Sequence, residues 1–384
     1  MKEIYFNYSS LTIMPEIWVR YGTTDVAINI KFENLLRAIS SNFPLLTENE
    51  IRLTLNEILL TDNIKIFPLT ASKSVAKIIE IVVEMAKSKG FANVAIYALP
   101  DILDTIKIYL PSGIILCKID SRSMDNRIKN FQNTIFISQV TYDPLFGFSG
   151  TPTILLRNFN QKQMFEAFDA RQDNLPKPGV IGAPLKIALS ASETISGTSI
   201  ELVSNNLGIA GIYYGNIIQA FNNAVSKLLS LSLIEVEDLT KSAIICASSE
   251  VNKTLTLADS LNSLWNSIHI VKENGSIVLI SENHKGIGGG ALQKLVEGKL
   301  NIGELEKSAY MIGLEHILYI KELTRIYDLG ILSTIPQYYL KTKLGFRTYN
   351  SARDILEKLL AKHGKNHKIL VLSDGDITLL RPKQ

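Results

Sequence analysis

Apolar positions recur at helical spacing from Val75 to Ala86, through Ile78, Ile79, Val82, Val83 and Met85. Ser72-Lys73-Ser74 opens this run and Gly90 ends it, which predicts a helix over 75–89. Short apolar runs flank it at Ile64–Pro68 and Val94–Leu99. Strand, helix, glycine, strand is a βαβ unit, and its two strands must pair in parallel. Further strands are expected at 114–119 and 134–140, and two more at 17–22 and 25–30 around the turn Gly22-Thr23-Thr24. The same pattern predicts helices over 32–41, 48–60, 164–172 and 217–229, and strands over 186–191, 199–204 and 210–214. Glu235-Val236-Glu237-Asp238 is an acidic break, and alternation restarts beyond it. Strands are expected at 243–247, 277–280, 317–320, 331–332 and 369–372, with helices over much of 254–270, over 291–297 and over 351–363. The fold class is α/β, with mostly parallel sheets flanked by helices. The expected domains are 1–238 and 239–384, with a cleft between them.

Composition narrows the function classes. At 384 residues, 46% hydrophobic and 20% charged, the chain can bury sizeable cores. A net charge of +3 is small for this length and argues against a nucleic-acid-binding surface. No apolar run reaches the roughly 18–20 residues that span a bilayer, so no membrane association is expected. Met1–Tyr5 has no charged segment leading into an apolar core, as a secretory leader would. With Cys117 and Cys246 as the only cysteines, disulfide frameworks and cysteine-rich metal clusters are excluded, and a cytoplasmic setting is expected. Both read as buried small hydrophobes. All five histidines lie from His269 onward, so histidine chemistry must come from the C-terminal part.

Two glycine-bearing loops follow predicted strands, where ligands sit in open α/β sheets. The first is Asp143-Pro144-Leu145-Phe146-Gly147-Phe148-Ser149-Gly150-Thr151-Pro152-Thr153. Asp143 is a candidate base, or else a cap for the loop that Pro144 stiffens. Ser149, Gly150 and Thr151 offer N–H and hydroxyl donors to a carboxylate or phosphate, or form an ordinary turn. The second loop, Ser281 to Gly290, carries His284, Lys285 and Gly288 ahead of a helix. A helix start favours an anion, while a solvated loop would leave the two cationic residues idle. Lys253, opening the stretch after the strand at Cys246, is a further anion candidate or a surface lysine. His363 and His367 flank a helix end and read as structural. Glu315-His316 has no second ligand at metal spacing, so no metal site is assigned.

Taken in order, several stretches resemble the nickel-dependent lactate racemase (LarA-like) family. They are Val19-Arg20-Tyr21-Gly22, Gly147-Phe148-Ser149-Gly150, Val271 to Leu279, and His284-Lys285-Gly286-Ile287-Gly288-Gly289. The resemblance implies two α/β domains with the site between them. It also implies a nickel–pincer nucleotide held by a lysine, with histidines exchanging a proton. The sequence departs from that pattern at the chemistry itself. Asp143 stands where the resemblance calls for a histidine, and Thr153 where it calls for the anchoring lysine. Pro68-Leu69-Thr70-Ala71 matches the early D-x-T-R segment only at the threonine, and Tyr97-Ala98-Leu99-Pro100 lacks that region's histidine. A threonine supplies no amine nucleophile for the anchor, and nickel prefers imidazole or thiolate. The cofactor is therefore left unspecified. The expected function is that of a divergent racemase-like protein binding a small hydroxy-acid-like or phosphorylated ligand in the cleft, with Asp143 and His284 as catalytic candidates. Ser149, Gly150, Thr151, Thr153, Lys253, Lys285 and Gly288 are the ligand-binding candidates. The alternatives are a non-catalytic ligand- or partner-binding protein, or an oxidoreductase using a free nucleotide. Partners are expected to be a small molecule and a second copy of the chain.

Overall fold

The computed structural model describes residues 16–58, 60, 63–91, 93–110, 114–119, 133–172, 175–247, 255–301 and 310–383. Lys253 lies outside them. The described chain begins with an antiparallel hairpin, β1 (Glu16–Tyr21) and β2 (Thr24–Asn29), followed by β3 (Leu35–Ile39). A first six-stranded sheet follows, built from β4 (Ile64–Pro68), β5 (Val94–Ala98), β6 (Leu116–Lys118), β7 (Thr134–Gln139), β10 (Thr198–Asn205) and β11 (Gly208–Asn216). Their order is β11-β10-β7-β4-β5-β6, parallel except for the β10–β11 hairpin. Helices α1 (Glu48–Asn56), α2 (Lys73–Ser88) and α3 (Pro100–Ile106) accompany it. Between β7 and β10 lie a small hairpin, β8 (Thr141–Asp143) and β9 (Gly147–Ser149), and helices α4 (Thr151–Phe159), α5 (Gln161–Asp169) and α6 (Ala183–Ser192).

Helix α7 (Ile217–Ser232) then leads through β12 (Leu233–Val236) into the second six-stranded sheet. Its strands from the C-terminal half are β13 (Thr240–Cys246), β14 (Val271–Ile280), β15 (Asp328–Leu332), β16 (Arg347–Tyr349) and β17 (Ile369–Leu372). The sixth is β3, which pairs in parallel with β17 along Ile369–Leu372. The sheet pairing therefore carries residues 35–39 across the expected division at 238. Helices α8 (Leu257–Trp265), α9 (Gly290–Val296), α10 (Leu314–Leu323) and α11 (Ala352–His363) complete this half, and a last strand, β18 (Leu379–Pro382), pairs with β12.

Three expectations of local structure were overturned. The stretch 32–41 was expected to be helical, but only 32–34 form a short 3-10 turn and 35–39 are a strand, because the free edge of β17 supplies a hydrogen-bonding partner. Residues 186–191 are helix α6, started by Pro184 in its first turn. Residues 317–320 lie inside α10. Short apolar runs of this kind fit a buried helix and a strand equally well.

Among the described residues the core forms four apolar clusters. One lies between α1, α2 and a face of the first sheet, with Leu55, Ile66, Ile79, Val82 and Ile200 fully buried or nearly so. A second, smaller one on the opposite face gathers Phe67, Phe136, Leu155 and Phe159. A third packs the β1–β2 hairpin and α11 on the second sheet. The largest is continuous across the halves, joining Phe146, Phe148, Leu156 and Phe221 to Trp265, Leu292, Tyr319 and Leu329. An apolar interface of this kind resists relative movement of the halves.

Candidate functional site

The first glycine loop folds as a tight hairpin into helix α4, and its polar groups bond to one another. Asp143 is buried, 4% exposed, at the end of β8. Its Oδ1 accepts from the backbone N–H groups of Leu145 and Phe146, both at 2.8 Å. Arg157, on the last turn of α4, holds the same carboxylate with both terminal nitrogens, at 2.9 and 3.2 Å. Gly147, at φ +84°, makes the turn, and a Cβ there would fall 2.0 Å from the Val180 carbonyl oxygen.

Arg157 reaches further. Its Nη2 donates to Glu315 Oε1 at 3.1 Å, on helix α10 of the other half. Tyr310 donates its hydroxyl to the same carboxylate, at 3.2 Å to Oε2. The Phe146 ring lies under the guanidinium, 5.2 Å from its centroid. Burial alone would lower the Arg157 pKa, but Asp143, Tyr310 and Glu315 around it hold it well above the ordinary value. Burial raises the Glu315 carboxyl, against the pull of Arg157. Beside this bridge, His316 accepts a hydrogen bond from Trp265 Nε1 at 2.9 Å, and burial lowers its pKa to about 4. It is thus a neutral structural imidazole at physiological pH. Trp265 stacks on Tyr319, 4.9 Å between centroids.

The start of α4 is closed from within. Glu201, fully buried on β10, accepts from the Thr151 N–H at 3.2 Å and from the Ser138 hydroxyl. Thr151 Oγ1 in turn donates to Ser138 Oγ at 3.2 Å. A carboxylate thus already stands where a helix start attracts an anion. Burial raises the Glu201 carboxyl to about 7, against these hydrogen bonds. Thr153 is 1% exposed, and its hydroxyl accepts from the Gly150 N–H at 3.0 Å and donates to the Gly150 carbonyl at 3.1 Å. Ser149 is half-buried at the end of β9.

The second loop is also tied down, but its cationic side chains face outward. Ser281 donates to Asn283 Oδ1 at 2.8 Å, and the Asn283 amide donates to Ser333 Oγ at 3.1 Å. Backbone bonds run from Lys285 N–H to Leu255 O at 3.0 Å and from Leu257 N–H to Gly286 O at 2.9 Å. Ala291, in the first turn of α9, donates its N–H to Ile312 O at 2.9 Å. Gly288 is held against Thr256 and Ala258. His284 and Lys285 are exposed, with His284 Nδ1 3.2 Å from Glu282 Oε2. Lys285 is close enough to act on Asp104 of α3, on the other half. The Asp104 carboxyl is held below its usual range first by Lys107 at 2.8 Å, then by Lys118 and Lys285.

The structure thus ties Asp143 into a buried bridge with Arg157 and Glu315, places Gly150, Thr151 and Thr153 at the closed start of α4, and leaves His284 and Lys285 on an exposed loop. It ties Asp143 to the capping reading, since all of its described bonds serve the hairpin and Arg157. Arg157, Glu201, Glu315 and Tyr310 were missed from sequence. The signal available for two of them was a single charge inside an apolar stretch, as in Ile154-Leu155-Leu156-Arg157 and Ile200-Glu201-Leu202. Residues for a pincer nucleotide do not fit. The anchoring position holds a buried hydroxyl rather than an amine, and the residue in place of the first histidine is a carboxylate engaged by Arg157. Among the described residues no group of three or more histidine, cysteine or carboxylate side chains is arranged to hold a metal ion. No described helix is long and apolar enough to cross a membrane.

The architecture matches solved structures over nearly its whole length. The lactate racemase apoprotein from Thermoanaerobacterium thermosaccharolyticum superposes with a TM-score of 0.78 at 13% identity, covering 96% of this chain and 100% of that one. A protein from Thermotoga maritima superposes with a TM-score of 0.64 at 12% identity, over 89% and 100% of the two chains. No family model and no curated protein sequence matches the chain. At such identities the likeness is one of fold: this chain has the α/β architecture of lactate racemase, as its co-linear motifs led one to expect.

Proposed function

We propose that this chain is a ligand-binding protein on the lactate racemase scaffold that takes a small hydroxy-acid-like or phosphorylated anion between its halves and does not carry out pincer-nucleotide racemisation. The observation that carries this reading is the Asp143–Arg157–Glu315 bridge. A base must offer a free lone pair to the proton that it takes. Asp143 has both oxygens engaged, by two amides and a guanidinium. The bridge also links α4 to α10, which favours a fixed arrangement of the halves over a working hinge. What is left for an anion is the exposed pair His284 and Lys285, opposite the lysines that surround Asp104.

A thermal-shift screen of the full chain against hydroxy acids and their phosphorylated relatives tests the binding half of this reading, since a ligand of the native state raises the melting midpoint by mass action. An upward shift that Lys285→Ala reduces is the expected result, and no shift with any anion would overturn it. Intact-mass and nickel analysis of the purified protein tests the other half. A pyridinium adduct together with stoichiometric nickel would refute it.

A further inference from the structure

The turn that joins α11 to β17 carries two histidines, and it grips a distant part of the chain. The His363 and His367 rings lie 4.8 Å apart between centroids. Asn34, 2% exposed just ahead of β3, donates its side-chain amide to the carbonyls of Lys365 at 2.7 Å and His367 at 3.0 Å. We propose that this turn is a pH-sensitive clamp on the start of β3, closed while both imidazoles are neutral and loosened when they take up protons. It sits at the amino ends of the strands of the second sheet, away from the loop of His284 and Lys285, and does not depend on the anion-binding reading.

β3 needs such a hold. Among the described strands it is the outer one of its sheet, and its ladder to β17 is irregular where it begins. Ile369 pairs with Leu35, but Leu370 pairs with Arg37. Strand ends of this kind open first. The far end is held separately. Ser41 donates its N–H and hydroxyl to Asp374 Oδ2, at 2.8 and 3.0 Å. Burial raises the Asp374 carboxyl, against these hydrogen bonds, so that hold persists in acid.

The surroundings of the two rings are already positive. Lys362 stands on the last turn of α11, where the helix end favours a cation. Lys241 of β13 acts on both rings, and Lys365 and Lys368 flank the turn on its exposed side. The acid that faces His363 is Asp328 of β15, and it is shared by Lys362 at 2.8 Å and Arg347 at 3.1 Å. Glu33, beside Asn34, is exposed and lies 3.9 Å from Lys31. His363 Nε2 is 3.0 Å from Ser276 Oγ, which Lys362 Nζ also reaches at 3.0 Å. His367 Nε2 is buried with no hydrogen-bond partner among the described residues, so a charge on that ring would meet no acceptor at that atom. Burial, then Lys362 and Lys241, holds His363 below the usual imidazole range. Burial, then His363 and Lys241, does the same for His367. A histidine whose folded pKa is lowered supports the fold while neutral. That support is lost as pH falls from the unfolded value, about 6.5, through the folded one.

The test is hydrogen exchange of the full chain at about pH 8 and about pH 5, which bracket the titration of histidine. It is read at the amides of 34–37 and of Ser41 and corrected for the intrinsic rate. In the native protein, protection at 34–37 falls roughly tenfold in acid, within what like charges this close supply near a surface, while Ser41 keeps its protection. The double variant His363→Gln, His367→Gln keeps the backbone carbonyls that hold Asn34 and loses the pH dependence. Asn34→Ala removes the grip, so protection at 34–37 is low at both pH values. Circular dichroism reports whether each variant folds. If one does not, the contrast between 34–37 and Ser41 in the native protein still decides. The proposal is overturned if native protection at 34–37 is the same at both pH values, if it falls equally at Ser41, or if either folded variant keeps the native response.

Discussion

Replacing Arg157 with methionine isolates the interaction that joins the halves. The guanidinium contacts Asp143 twice and Glu315 once, between two residues that are each 4% exposed. Methionine fills most of the volume and still covers Phe146, so the change is mainly one of charge. Asp143 would keep its two amide donors and Glu315 its tyrosine, but both carboxylates would stay buried without a cation. Removing one partner of a buried pair costs about 3–5 kcal/mol. The Arg157 side chain is 19% exposed, so water screens part of the loss and the lower end, about 3 kcal/mol, applies. Asp143→Asn keeps the oxygen that accepts from Leu145 and Phe146 but turns an NH2 towards Arg157 Nη1 where Oδ2 accepted, so it loses that hydrogen bond with the charge, for about 2 kcal/mol. Glu315→Gln should cost least, because burial already disfavours its ionised form.

Urea unfolding, followed by the fluorescence of the buried Trp265, reads this order as shifts in midpoint at unchanged slope. The pH dependence adds a second readout. The folded pKa of Glu315 is raised, so its contribution is fully present below the unfolded carboxyl range and is lost as pH rises through the folded value. Without Arg157 that rise is larger, so the deficit of Arg157→Met grows from pH 5 to pH 8. A deficit below about 1 kcal/mol, or one that shrinks as pH rises, would refute the view that this bridge is a buried structural link.

Two further outcomes follow from the same physics. The Glu201 carboxyl is raised to about 7, so its contribution is present at low pH and fades as pH climbs through that value. Glu201→Gln should therefore leave the melting midpoint near pH 5 almost unchanged and raise stability above pH 8, by at most about 3 kcal/mol. Scanning melts across pH decide this, and an equal effect at both ends would contradict it. In the second loop, Gly290 has φ +73° and a Cβ there would fall 2.1 Å from Ile312 O, whereas nothing lies within 4 Å of a Cβ on Gly289. Gly290→Ala should cost about 2–3 kcal/mol and Gly289→Ala well under 1. If the two alanine variants melt alike, the loop is not held by its backbone in the way described.

The βαβ unit at 64–98 was legible because a long amphipathic helix with a serine start and a glycine stop has few competing readings. The stretch Leu35–Ile39 was not. Its apolar residues at 32, 35, 36 and 39 satisfy a helix, and only the unpaired edge of β17, more than three hundred residues away in sequence, makes it a strand. Tertiary pairing overrode local propensity there. The run Ile317-Leu318-Tyr319-Ile320 failed for the opposite reason: every one of its positions is at least half-buried, so burial gives no period to read.

The candidate site divides in the same way. Which chemical groups are missing was readable residue by residue, since a threonine is not an amine wherever the fold puts it. What replaces them was not readable. Asp143 looked like a base at the mouth of a loop because sequence shows its neighbours in the chain. Its decisive neighbours are Arg157, fourteen positions on and brought back by one turn and one helix, and through it Glu315, 158 further along. A carboxylate becomes a base or a brace according to whether a cation is held against it. Here three separate segments supply the brace, and Glu201 fills the helix start beside it. A scaffold whose would-be reaction wall is satisfied from within can still bind at its rim. Binding and turnover therefore have to be measured apart, and a ligand-induced melting shift in this protein is evidence for the first alone.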